Sequence, residues 1–352
     1  MKETNYQTNN PFTLTFGKEP VSFISREQET AEIMEGFCQK HPDNQVLMFT
    51  GVRGSGKTVI LTNISNEFRQ LKDWIVVDLN PERDMLQMLA AELSNRPMLG
   101  QIFKDASINL SFLGLGLSID GEPPITDVTV ALDRMLSALT KKNKRVLVAI
   151  DEATSTPQMR EFAAQFQIYL RKNYSIFLLM TGLYENVDEL QNEKSLTFLY
   201  RAPKIPMAPL STVMIADKYA DVFQLGKTDA LKMAKATNGY AYAFQLLGYL
   251  CFKRKLPYTE VITEYDAALE QYVYEKIWSE LSGNDQTVLC AMASTTETKV
   301  EKIREKAEMT SSSFSVYRNR LIKKGLIRQT QYAHLDFTLP RFREFVKRCE
   351  AE

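Results

Sequence analysis

Two kinds of apolar pattern organise the chain. Residues 46–50 ("VLMFT"), 74–80 ("WIVVDLN"), 146–150 ("VLVAI") and 175–183 ("SIFLLMTGL") are short, nearly continuous apolar runs. Their length and β-branched content predict buried strands. Between them, residues 83–93 and 126–141 carry apolar side chains at helical spacing, and a further helix starts at Lys57. Strands alternating with helices predict an α/β domain with a parallel sheet. A different pattern marks "SINLSFLGLGLSIDGEPP": Ile108, Leu110 and Phe112, then Leu115, Leu117 and Ile119, alternate with polar or small residues. That alternation predicts a β-hairpin over roughly 105–122, turning near Gly114 or Gly116.

Beyond residue 210 the pattern becomes helical. Helices are expected over 211–251, then one long helix over 258–281, with a shift in composition at "SGNDQ". After it, "DQTVLCAMA", "KVEKIREKAE" and "SSSFSVYRNRLIKKGLI" read as three short helices, and "RQTQYAHLDFTLP" as two strands around a turn. Thr310 or Ser311 caps the third helix and Gly325 ends it. On a helical wheel Phe314, Tyr317, Leu321 and Ile322 form its buried face, with Arg318 inside that arc. Ser315, Asn319, Arg320 and Lys323 point outward.

Composition narrows the classes. The 352 residues hold 43 basic and 43 acidic side chains, so no global field selects a partner. Cys38, Cys251, Cys290 and Cys349 form no CxxC pair and only two histidines are present, which argues against zinc. Scattered thiols, an N-terminus without an apolar core, and no run near the roughly 20 residues that span a bilayer point to a soluble, cytoplasmic chain without membrane contact.

The chemistry concentrates after the first strand. Gly51, Val52, Arg53, Gly54, Ser55, Gly56, Lys57 and Thr58 match GxxxxGK[ST], between a strand and a helix. Glycines let backbone N–H groups curl around phosphate oxygens, and the helix N-terminus adds its positive end. Lys57 reaches the β- and γ-phosphates of ATP and Thr58 ligates Mg²⁺ in such a site. At the end of the 146–150 strand, Asp151 is expected to hold Mg²⁺ through water and Glu152 to polarise the attacking water. Thr181, at the carboxyl end of the next strand, can contact the γ-phosphate or that water.

Together these segments resemble the AAA+ and STAND ATPases, in particular the origin-recognition initiator and archaeal-type ATPase group. That resemblance implies a P-loop NTPase core with helices on both faces of a parallel sheet, a helical lid and a C-terminal winged helix-turn-helix. It divides the chain into an N-terminal arm (1–20), core (21–210), lid and linker helix (211–270) and winged helix (271–352). "VSFISREQETAEI" resembles the adenine box, in which Phe23 and Ile24 flank the base, although Ser25 replaces the usual glycine. Arg201, before a last strand at 204–207, is implied to be an arginine finger entering a neighbouring copy in a homo-oligomer. "ATNGYAYAFQLLGYLC", at the lid-helix position, has neither a sensor 2 arginine nor the Gly-x-Pro of STAND proteins. Duplex DNA is the implied partner of the winged helix, through Ser315, Asn319, Arg320, Lys323 and Arg328. Residues 309–348 support this with nine basic residues against two acidic. The alternative is a STAND-type switch whose winged helix binds a protein.

Overall fold

The computed structural model describes residues 9–15, 20–109, 111, 124–193 and 196–351. They form two compact units. One comprises Arg26–Thr50 and Lys57–Pro206, the other Met1–Ser25, Gly51–Gly56 and Met207–Glu352.

The first unit is a sheet unit. Strands β1 (Val46–Thr50), β2 (Trp74–Leu79), β3 (Arg145–Ile150), β4 (Ile176–Gly182) and β5 (Lys204–Pro206) align in the order β2-β3-β4-β1-β5. Every pairing is parallel. The four long strands fall within a residue of the expected runs because burial on both faces demands continuous apolar sequence. Alternate residues then face opposite layers. Val46, Met48, Val77, Val148 and Leu178 join one apolar core with α3 (Met85–Ser94), α5 (Val128–Lys141) and α6 (Pro157–Arg171). On the other face lie α1 (Glu27–Cys38) and α2 (Lys57–Gln70). There Phe37 meets Phe177 at 5.0 Å, Phe68 meets Trp74 at 4.2 Å, and the Arg145 guanidinium sits 5.6 Å from the Trp74 ring. Asp84, Asp127 and Thr156 cap α3, α5 and α6 by accepting backbone N–H groups.

Helix α4 (Pro97–Asp105) was not expected. It buries only Leu99 and Phe103, too few positions to show a period. Of the expected hairpin, residues 110 and 112–122 lie outside the described residues. Its approaches are held together where the Ile125 N–H donates to the Asn109 carbonyl at 2.9 Å. Two short helices, α7 (Tyr184–Gln191) and α8 (Thr197–Tyr200), lead to β5.

The C-terminal unit is mostly helical: α9 (Thr212–Phe223), α10 (Lys227–Lys235), α11 (Ala241–Arg254) and α12 (Tyr258–Leu269). The long helix expected over 258–281 is present as α12 and α13 (Glu275–Ser279), joined by a π turn at Glu270–Tyr274. Three helices follow, α14 (Gly283–Ser294), α15 (Val300–Lys306) and α16 (Ser311–Lys324). An antiparallel hairpin of β6 (Ile327–Gln331) and β7 (His334–Phe337) comes next, and then α17 (Phe342–Ala351). Thr310 caps α16 and Gly325 ends it in the left-handed conformation, φ 78°.

The N-terminal segment is integral to this unit. Phe12 is 1% exposed and packs on Tyr219, Phe223 and Phe244 at 5.6–5.8 Å. A Cβ at residue 248 would come within 2.5 Å of the Phe12 ring, so only glycine fits there. Asn10 donates to the Tyr249 carbonyl, and the Thr13 N–H donates to Gln245. Phe12→Ala should therefore destabilise the protein by about 3–5 kcal/mol in urea unfolding. A change below about 1 kcal/mol would show that the segment is dispensable.

Candidate nucleotide site

The glycine-rich loop bends because Gly54 (φ 71°) and Gly56 (φ 93°) occupy the left-handed region. Its carbonyls face protein. Tyr240 Oη donates to the Arg53 carbonyl, and the Tyr242 N–H donates to the Gly54 carbonyl at 3.0 Å. A Cβ on Gly54 would lie 2.4 Å from Tyr240 Oη, so the loop is glycine at 54 for space as well as for φ. Burial pushes the Tyr240 phenol well above its usual range, which keeps the donated proton in place. In a trans peptide the N–H points opposite to the C=O, so tying the Arg53 carbonyl to Tyr240 turns the Gly54 N–H away from it. Tyr240 and Tyr242 are thus the site residues that sequence reasoning missed. Their signal was the "GYAY" that stands where a sensor 2 arginine or a Gly-x-Pro was sought.

Lys57 and Thr58 open α2, and Lys57 is 9% exposed. In the sheet unit, Asp151 follows β3 and distributes its carboxylate between three donors. Thr58 Oγ1 donates to Oδ2 at 2.7 Å. Thr181 Oγ1 and the Glu152 N–H both donate to Oδ1, the latter at 3.1 Å. Thr181 is fully buried in β4, beside β3 in the sheet. Glu152 takes a left-handed backbone (φ 55°), uncommon for a non-glycine residue. The next residue fixes that turn, since the Ala153 N–H donates to the Thr181 carbonyl at 2.7 Å. The Glu152 residue is exposed. The structure therefore brings Thr58, Asp151, Glu152 and Thr181 together. A hydroxyl and a carboxylate oxygen 2.7 Å apart are hard donors of the type that Mg²⁺ takes alongside phosphate oxygens.

Other expected residues are less concentrated. Ile24 is buried in the apolar core of the C-terminal unit, while Phe23 is half-buried. Arg201 caps α8, exposed beside an exposed Tyr200, and its guanidinium has no hydrogen bond or ion pair among the described residues. Its turn is held from beneath by buried Gln191, which donates to the Leu199 and Ala202 carbonyls.

In α16, Phe314 and Leu321 are buried and Tyr317 and Ile322 half-buried, as the wheel requires. Ser315 is half-buried, and Asn319 and Lys323 are exposed. Arg320 departs from expectation. Instead of facing outward it pairs with Asp285 at 2.7 Å, donates to Ser282 at 2.6 Å and lies 4.9 Å from the Tyr317 ring. Arg328 reaches Asn238 at 3.4 Å. The local positive excess is also matched in part within the unit: Arg341 pairs with Asp266 and Arg348 with Glu270. Arg343 donates to the Met292 and Thr295 carbonyls. Counting charges along 309–348 missed these partners because the carboxylates come from earlier helices. A cavity of about 380 Å³ lined by Trp278, Cys290, Lys306 and Cys349 lies in the same unit. Burial pushes the Cys290 thiol up to about 11, so it is no nucleophile at neutral pH.

The fold is the α/β fold of a P-loop NTPase, and solved structures share it. The Walker-type ATPase of Pyrococcus abyssi shares it at 16% identity and a TM-score of 0.64, over 92% of this chain and 96% of that one. The Aeropyrum pernix ORC2 protein in its ADPNP-ADP complexes shares it at 13% identity and a TM-score of 0.55, over 96% and 98% of the two chains. A family described as "Domain of unknown function (DUF8462)" matches residues 271–346. Comparison with curated proteins returns no match.

Arg320→Ala leaves the 1%-exposed Asp285 side chain with only its capping hydrogen bonds. With Arg320 itself 38% exposed, the cost should be about 1–2 kcal/mol, less than for a fully buried pair. Thermal unfolding checks this, and an unchanged midpoint would contradict the pairing.

Proposed function

We propose that the chain is an ATPase in which ATP·Mg²⁺ binds the Gly51–Thr58 loop. The observation that carries this reading is the hydrogen bond from Thr58 to Asp151, reinforced by Thr181 and the Glu152 N–H. Lys57 would hold the β- and γ-phosphates. Thr58 and Asp151 would hold the metal, whose role is to neutralise phosphate charge. Glu152, with its exposed carboxylate, would orient the attacking water, and Thr181 would fix Asp151 and sense the γ-phosphate. Phe23 and Ile24 would approach the base. The shared fold with a Walker-type ATPase supports this assignment.

Arg201 is proposed to act on the site of a second copy. An exposed arginine without a side-chain partner among the described residues, beside an exposed tyrosine, supports that role. We read residues 271–351 as a winged helix, from three helices followed by the β6–β7 hairpin. Duplex DNA is its proposed partner through Ser315, Asn319 and Lys323, with Tyr332 of the hairpin turn, 94% exposed, beside the backbone. One observation favours the second reading, a nucleotide switch with a protein partner: Arg320, Arg341 and Arg348 are already occupied by the chain's own carboxylates. Salt-dependent affinity for duplex DNA separates the two, since each phosphate contact adds close to one unit to the slope.

Three variants test the site. Lys57→Ala should lose ATP binding in equilibrium titration, and retained affinity would sink the phosphate-loop assignment. Glu152→Gln should bind ATP normally while turnover drops by about 10² or more. Arg201→Ala should lower turnover per chain mainly at high protein concentration, where copies meet. Equal losses at every concentration would place Arg201 within its own subunit.

A further inference from the structure

Arg53 is a residue of the glycine-rich loop with a charged partner of its own. Its Nη2 lies 3.0 Å from Glu280 Oε1, and Lys276 Nζ approaches the same oxygen at 3.2 Å. Arg53 Nε and Ser55 Oγ are buried without a hydrogen-bond partner among the described residues. Buried polar groups are almost always paired, so two orphans on one loop point to a ligand. Glu280 follows α13 directly and stands two residues before Ser282, whose capping box with Asp285 starts α14. The same loop touches the far end of α16, where a Cβ on Gly325 would lie 3.7 Å from Val52 Cγ1.

We propose that Arg53 is a phosphate sensor, latched to Glu280, and that a nucleoside di- or triphosphate exchanges with Glu280 for its guanidinium. This rests on the reading that the loop takes a nucleotide. A phosphate group offers more charge than one carboxylate and matches the planar guanidinium in a bidentate way. The latch is weak enough to exchange, because its side chains are 41% and 36% exposed, where an ion pair contributes little. Nucleotide binding then frees Glu280, loosens the connection between α13 and α14, and passes the state of the loop to residues 283–351. No sensor 2 arginine is needed, since the loop itself carries the sensing cation.

The test is ADP affinity and amide hydrogen exchange over residues 275–290 in the full chain, comparing wild type, Glu280→Gln and Lys276→Gln. Glu280 is at the surface, so E280Q keeps the fold. ADP should raise exchange in the wild type. E280Q should show raised exchange without ADP, little further change with it, and about three- to tenfold tighter ADP binding because the competitor is gone. K276Q retains the Arg53 pair and should stay within about twofold of wild type. Wild-type ADP affinity in E280Q, or unchanged exchange in wild type with ADP bound, overturns the latch while leaving the phosphate-loop assignment standing. Failure of the wild type to bind ADP at all sinks both.

Discussion

The carboxylate of Asp151 is the group around which the polar cluster of the sheet unit is ordered. Its two oxygens accept from Thr58, Thr181 and the Glu152 N–H, three donors that sequence separates widely and the parallel sheet brings to one edge. The strand order explains how: β4 lies between β1 and β3, so Thr181 is flanked by the strand that leads into the glycine-rich loop and the strand that ends in Asp151. Buried polar groups stay only where they are paired. Thr181 meets that demand by bonding Asp151, and the left-handed turn at Glu152 is held by the same strand end. Order in this cluster is thus a consequence of burial, and Glu152 beside it is exposed.

The C-terminal unit is governed by a different economy, the pairing of surface arginines. Helices α12 and the π turn supply Asp266 and Glu270, and α14 supplies Asp285, to arginines on α16 and around α17. The half-exposed pairs at Asp266 and Glu270 contribute little individually, whereas Asp285 is buried and depends more on its arginine. The Asp285 pair holds Arg320 against α14, while Val316, Asn319 and Lys323 of α16 are exposed. The same unit holds the glycine-rich loop through Tyr240, Tyr242 and Glu280. The glycine-rich loop is therefore tied to the helices that follow residue 240 by contacts within one unit.

The sheet was legible in the sequence because strands buried on both faces must be apolar throughout, and the four main runs match β1 to β4 almost residue for residue. Thr58, Asp151 and Thr181 were legible because their spacing from strand ends is fixed by backbone geometry. Long-range packing was not. Phe12 contributes to a core whose other buried members, Ile24 apart, lie at residue 215 or later, and nothing local marks it as anything but an arm residue. Helix α17 was not expected: Phe342, Phe345 and Val346 recur at helical spacing, but Arg343, Lys347 and Arg348 are interspersed with them. For Arg320, a helical wheel gives direction relative to its own axis. It cannot show that Asp285, 35 residues earlier, waits on that side.

The most direct measurement is the Mg²⁺ dependence of ATP affinity, by titration calorimetry, in the wild type and in Asp151→Asn. The account predicts that Mg²⁺ tightens ATP binding to the wild type by about tenfold or more, and that Asp151→Asn loses most of this gain while retaining the affinity seen without Mg²⁺. Equal Mg²⁺ dependence in the two proteins would contradict the assignment of Asp151 and Thr58 as the metal-holding pair.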